Sequence, residues 1–182
     1  MTTPPNAADP AAHPHHRWMR EALALAEHAI GLSEPNPRVG CLIVADDGTV
    51  LGRGHTQQAG GPHAEVMALR DATAHGHSVR GATVIVSLEP CAHHGRTPPC
   101  CDALAQAGVG RVVMALEDPN PLVAGQGATR LRAAGIEVIA GVEADAAREL
   151  NIGFFSRMQR QRPWVRMKVA TSLDGRTALH NG

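Results

Sequence analysis

The chain has 182 residues, 43% of them hydrophobic and 19% charged, which suits one globular domain with a short extra piece. Seventeen basic residues balance seventeen acidic ones, and the aromatic residues are Trp18, Phe154, Phe155 and Trp164 alone. This excludes an extended electrostatic footprint for nucleic acid and a platform of rings for stacking bases, and leaves only a local basic pocket for one phosphate. No apolar run is long enough for a membrane span, and residues 1–16 have neither a basic n-region nor an apolar h-region, so no membrane partner is expected and the compartment is cytoplasmic. Cys41, Cys91, Cys100 and Cys101 sit in a chain that is neither very small nor preceded by a signal peptide, so a disulfide framework is not expected.

Residues 1–16 hold too little apolar surface to fold and read as a disordered tail, with His13, His15 and His16 solvated. From Arg17 the spacing of Met19, Leu23, Ala26 and Ile30 predicts a helix that ends at Gly31. The loop Pro35-Asn36-Pro37 leads into a strand over 39–45. Asp46-Asp47-Gly48 then turns the chain, and 50–55 returns as the hairpin partner. Ala59-Gly60-Gly61-Pro62 delivers the chain to a helix that begins near His63 and turns Ala64, Met67, Ala68 and Ala72 inward. The apolar run 82–88 reads as a buried strand, and a helix follows from Pro98-Pro99 to Gly108, since proline suits a first turn. Next come a strand over 111–116, a helix over 128–134, a strand over 137–142, a long helical pattern over 144–160 and one more strand over 163–170. The alternation, with no internal repeat, implies an α/β fold: a three-layer α/β/α sheet with helices on both faces, spanning 17–160.

The chemistry concentrates at His63-Ala64-Glu65, Pro90-Cys91 and Cys100. One imidazole and two thiolates are three soft ligands for Zn²⁺. Three protein ligands leave the fourth position open, as in a catalytic rather than a structural site. His63 and Cys100 both fall at helix starts, where free N–H groups and the helix dipole favour thiolates. Glu65 stands beside the metal without ligating it, placed to carry protons for a metal-activated water. Cys101 is the obvious fourth ligand of a structural alternative. Neighbours on a helix diverge by about 100°, however, so Cys100 and Cys101 are not expected on one ion. Cys41 reads as a small core residue, and His28, His75 and His77 as ordinary helix or loop residues.

At these residues the chain resembles the cytidine-deaminase superfamily, whose signature is H-x-E followed by P-C-x-x-C. It departs in one respect: eight residues, AHHGRTPP, separate the two cysteines. With PNPRVGCLIV at 35–44, LEPCAHHGRTPPC at 88–100 and EDPNPLVAGQG at 117–127, it is similar to the deaminase domain of the riboflavin-biosynthesis bifunctional deaminase/reductase family, from about Trp18 to Phe155. The resemblance implies a cytidine-deaminase-like fold and hydrolytic deamination of 2,5-diamino-6-ribosylamino-4(3H)-pyrimidinone 5′-phosphate to 5-amino-6-(5-phosphoribosylamino)uracil, with release of ammonia. It implies His63, Cys91 and Cys100 as zinc ligands, Glu65 as proton shuttle and Asn36 as a substrate contact. By the same resemblance His55, Arg96, Asp118 and Asn120 surround the ribose phosphate, and the protein forms a homo-oligomer.

Arg96 is a fork donor suited to phosphate, and Asp118 and Asn120 follow a strand end, where open α/β sheets contact ligands. Asp-Pro-Asn-Pro is also a turn sequence in its own right. His93 and His94 read equally as surface loop and as substrate contacts. Residues 161–182, with TSLDGRTA at 171–178, resemble the start of the family's reductase domain. That domain is incomplete here, so NADPH and reductase activity are expected only where the remainder is supplied. Two rivals stay open: a deaminase of another base, such as cytidine or tRNA adenosine, and a non-catalytic zinc module.

Overall fold

The computed structural model describes residues 14–94, 98–120 and 124–177. Its centre is one sheet of five strands: β1 (Gly40–Val44), β2 (Val50–His55), β3 (Thr83–Val86), β4 (Arg111–Met114) and β5 (Glu137–Ala140). The order is β2-β1-β3-β4-β5, with β1 antiparallel to both neighbours and β3, β4 and β5 parallel. Around it lie α1 (His16–Glu27), α2 (Ala64–Ala74), α3 (Cys100–Ala107), α4 (Gln126–Ala133), α5 (Ala144–Leu150) and α6 (Ile152–Arg160).

The strand period of two explains the three layers. Cys41 and Ile43 of β1, Val84 and Val86 of β3, and Val112 and Met114 of β4 point to one face, where they meet Ala64, Ala68, Leu104 and Leu131 from α2, α3 and α4. The intervening Leu42, Val44, Ile85 and Val113 point to the other, against Met19, Ala22 and Leu23 of α1 and Ala147 of α5. Both faces are covered, which is why β1 and β3 are buried at every position. The expected α/β/α arrangement with helices on both faces is the one observed.

Two glycines set how closely α2 lies on the sheet. A Cβ at Gly54 would sit 2.3 Å from the Ala64 carbonyl oxygen, and one at Gly52 would sit 2.2 Å from that of Ala68. Only glycine lets β2 run directly beneath this helix, and the N-terminus of α2 is fixed over the sheet as a result.

Three segments differ from the sequence pattern. The first helix begins at His16 rather than Arg17, drawn in by a bond from His16 Nδ1 to the Glu143 carboxylate at 2.9 Å. His15, expected in the solvated tail, is instead the N-cap of this helix and its carbonyl accepts the Met19 N–H at 2.9 Å, while residues 1–13 of the expected tail, His13 included, lie outside the described residues. The helical pattern over 144–160 is two helices broken at Asn151, whose side chain is turned onto the loop before β1. The strand expected over 163–170 is absent. Val165, Met167 and Val169 do alternate with polar residues, but no strand of the sheet pairs with them, and Val165 and Met167 are 79% and 82% exposed. β-propensity without a partner edge is not sufficient to make a strand.

Candidate metal centre and substrate cavity

Three elements converge at one end of the sheet. His63 is the N-cap of α2, with extended backbone (φ −76°, ψ 166°). Cys91 follows β3 through Leu88-Glu89-Pro90, and Cys100 is the first residue of α3. Their ligand atoms all lie within 4.8 Å of one another. His63 Nδ1 is 3.6 Å from Cys91 Sγ and 3.3 Å from Cys100 Sγ. Zn–S bonds of about 2.3 Å and Zn–N bonds of about 2.0–2.1 Å place sulfur and nitrogen about 3.6 Å apart in a tetrahedral centre. The donor set therefore fits zinc in residue type, number and separation.

The electrostatics agree with that fit. Cys91 is pulled down to about 4 by the Cys100 thiol, by His63 and by the Cys100 backbone N–H, which donates to its sulfur at 3.3 Å. Cys100 is driven upward, first by the neighbouring Cys91 and then by burial. His63 is raised, chiefly by its hydrogen bond to Cys91. Two sulfurs at the mouth of α3 thus compete for one proton, a conflict that a divalent cation resolves by replacing it. Glu65, in the first turn of α2, is only 3% exposed, and this burial lifts its carboxyl to about 7. Cys101 points elsewhere: its sulfur lies 3.2 Å from the Pro90 carbonyl oxygen and 3.5 Å from that of Gly127, and burial raises its thiol to about 12. It stands outside the metal cluster, as helix geometry predicts.

A cavity of about 450 Å³ opens onto His63, Glu65 and Cys91. Asn36, Asp118 and Asn120 line it, so these three expected contacts face the same cavity as the cluster. Asp118 also serves the turn, because its carboxylate accepts the Asn120 backbone N–H at 2.8 Å, and burial raises it to about 6. Asp118 therefore both closes the turn and lines the cavity. His93, left open by the sequence, lines the cavity too.

His55 does not line it. Gly52 and Gly54 of β2 face α2, so strand parity sends Arg53 and His55 to the opposite side, where the His55 ring lies 5.6 Å from that of His28 beyond α1. Arg96 lies outside the described residues.

The sequence reasoning missed two contributors. Glu89 lines the cavity and holds the segment after β4 that lines it too: the buried carboxylate accepts backbone N–H bonds from Asp118 (3.1 Å), Gly125 (2.9 Å) and Ala128 (3.0 Å). An acid at the end of a buried strand, just before Pro-Cys, was the available signal. From α6 come Phe154, Arg157 and Met158, which no motif marks.

Comparison with known proteins places this architecture. The cytidine and deoxycytidylate deaminase zinc-binding region matches residues 12–116. The chain is 53% identical over 165 residues to the riboflavin biosynthesis protein RibD of Escherichia coli, covering 91% of this chain and 44% of that protein. Among solved structures, Acinetobacter baumannii RibD is similar with a TM-score of 0.82 at 53% identity, covering 90% of this chain and 45% of the other. A diaminohydroxyphosphoribosylaminopyrimidine deaminase/5-amino-6-(5-phosphoribosylamino)uracil reductase from Thermotoga maritima superposes with a TM-score of 0.88 at 42% identity, over 92% of this chain and 48% of that one. The chain therefore spans about half the length of the relatives it matches. With the zinc-binding region running through most of its sheet and all three candidate metal ligands, the chain belongs to the cytidine and deoxycytidylate deaminase zinc-binding family.

Proposed function

We propose that this chain is a zinc-dependent hydrolytic deaminase acting on 2,5-diamino-6-ribosylamino-4(3H)-pyrimidinone 5′-phosphate in riboflavin biosynthesis. The observation that carries the reading is the buried carboxyl of Glu65 beside a three-ligand zinc cluster, with one cavity opening onto both. The similarity to RibD proteins supports the substrate.

His63, Cys91 and Cys100 hold the metal, which when bound supplies the Lewis acidity that makes water a nucleophile near neutral pH. Glu65 takes one proton from the attacking water and delivers it to the ring nitrogen, then takes the second from the new hydroxyl and passes it to the departing amine as the carbonyl forms. The ring carbon gains oxygen and loses nitrogen, so water enters and ammonia leaves. Burial matches Glu65 to the task, because a carboxyl near 7 both accepts and returns protons at neutral pH. Asn36, Asp118 and Asn120 orient the nucleotide across the cavity. Residues from 161 onward are read as the start of a reductase-like unit, with the protein self-associating.

The test is ammonia release from the diaminopyrimidine phosphate by zinc-loaded and chelated protein, with cytidine as control. Glu65→Gln is expected to keep full zinc occupancy and lose about 10²–10⁴-fold in kcat, the usual worth of a general acid–base. Undiminished turnover in that variant overturns the mechanism. Release from cytidine but not from the diaminopyrimidine overturns the substrate.

A further inference from the structure

The loop that carries Asn36 closes its own turn, with the Asn36 N–H donating to the Ser33 carbonyl at 2.8 Å and Ser33 Oγ to the Asn36 carbonyl at 3.2 Å, and it is also tied from a distant element. Asn151, the residue that breaks α5 from α6, is 4% exposed and pairs with the backbone of Arg38 in both directions. Its Oδ1 accepts the Arg38 N–H at 2.8 Å, and its Nδ2 donates to the Arg38 carbonyl at 2.8 Å. The carboxamide thus does for residue 38 what a neighbouring strand would do, two residues before β1 begins. A second tie comes from the same helix pair: Arg157 Nη2 donates to the Pro35 carbonyl at 2.6 Å. Asn36 lies between these two anchors in sequence and lines the cavity that opens onto His63 and Cys91.

The helical sequence makes the placement specific. A mid-helix asparagine ordinarily faces water or is replaced by a better helix former, because its side chain competes with backbone bonds. Here the helix gives way instead. Asn151 adopts φ −109° and ψ 20°, while its Nδ2 also reaches the Ala147 carbonyl at 3.4 Å. A regular turn has been exchanged for a grip on a loop more than a hundred residues away.

We infer that Asn151 is a positioning residue: its carboxamide pairs with the Arg38 backbone and sets the 35–38 loop so that Asn36 meets the substrate. The inference rests on the deaminase reading above, and it acts through Asn36 rather than through contact with the reacting atoms.

The experiment is a double-mutant cycle of Asn151→Ala and Asn36→Ala, with zinc content and amide hydrogen exchange measured on each protein. Asn151→Ala is expected to keep zinc, lower kcat/KM by about tenfold chiefly through KM, and speed exchange at the Arg38 amide. In the Asn36→Ala background the same change is expected to cost less than about twofold, because its route to the substrate is already gone. Equal losses in both backgrounds, or a kcat/KM within about twofold of the parent, would overturn the inference. Should Asn151→Ala fail to fold, Asn151→Ser carries the same cycle, with a hydroxyl to retain water between the two segments. A parent protein inactive on the diaminopyrimidine sinks the substrate reading alone, since unchanged exchange at Arg38 in the Asn151 variant still refutes the pairing.

Discussion

Replacing Glu89 by glutamine removes a charge from the junction that holds the segment from Asp118 to Ala128 beside the cavity. The carboxylate is 4% exposed and receives three backbone N–H groups, two on Oε2 from Asp118 and Gly125 and one on Oε1 from Ala128. Gly125 is the N-cap of α4 and Ala128 lies in its first turn, so the acid also faces the positive end of that helix. Glutamine retains one acceptor oxygen. Its best orientation keeps the two bonds from Asp118 and Gly125 and sets its amide group donor-to-donor against the Ala128 N–H. One charge-assisted bond is lost, worth about 1.5–3 kcal/mol. The helix-end interaction adds about 0.3–1 kcal/mol, and relief of the carboxylate's own desolvation offsets part of the sum. A net loss of about 2–3 kcal/mol corresponds to a fall of roughly 4–12 °C in Tm for a domain of this size. The assay is thermal unfolding of the zinc-loaded protein at pH 7, with hydrogen exchange at the Asp118, Gly125 and Ala128 amides. A melt within about 1 °C of the parent and unchanged exchange would refute the clamp.

Three further outcomes are expected. Cys91→Ala and Cys100→Ala lose zinc while Cys101→Ser retains it, since the Cys101 sulfur faces the Pro90 and Gly127 carbonyls; metal analysis of the purified variants checks this. Gly127→Ala places a Cβ 2.0 Å from the Pro90 carbonyl oxygen and is expected to cost about 3 kcal/mol by denaturant unfolding, because both atoms belong to packed backbone. For Glu143, burial pushes the carboxyl up, but bonds from His16 and Arg20 outweigh it and hold the group below its ordinary 4.5. Its contribution, about 0.5–1 kcal/mol, is therefore present above that value and fades as pH falls below it. Glu143→Gln is expected to be less stable than the parent at pH 7 and to converge with it in acid, as followed by unfolding at a series of pH values.

The metal cluster was legible because its information lies in residue identity: two cysteines, a histidine and an acid beside it name a chemistry before any fold is known. The hairpin was legible for a similar reason, and β2 occupies the expected 50–55. What escaped depends on partners distant in sequence. Glu89 belongs to a quoted motif, yet its three donors come from residues 118–128, and no periodicity in the strand reveals them. Asn151 sits in a helical window where a polar residue normally faces solvent, so the break at that position depends on Arg38. His55 lies on the α1 side of β2, away from the cavity lining, because strand parity, fixed by the two glycines of β2, sends it there. The segment over 163–170 shows the converse: its alternation is real, but a strand requires an edge to pair with.

The direction of β1 explains why loops from both ends of strands meet in one cavity. In an all-parallel sheet, ligand contacts gather after the strands, at their C-terminal ends. Here β3 and β4 obey that rule, delivering Glu89 to Cys91 and then Asp118 to Asn120 to the same edge. β1 runs antiparallel to β3, with Cys41 opposite Val86, so the segment entering β1 lies beside the segment leaving β3. Asn36 therefore reaches the cavity from before its strand, and its loop lacks the support of a preceding strand on that side. The α5–α6 junction supplies this support through Asn151 and Arg157. The labour divides accordingly: α2, the segment after β3 and α3 present the metal ligands and Glu65, while the segments before β1 and after β4, together with α6, line the rest of the cavity.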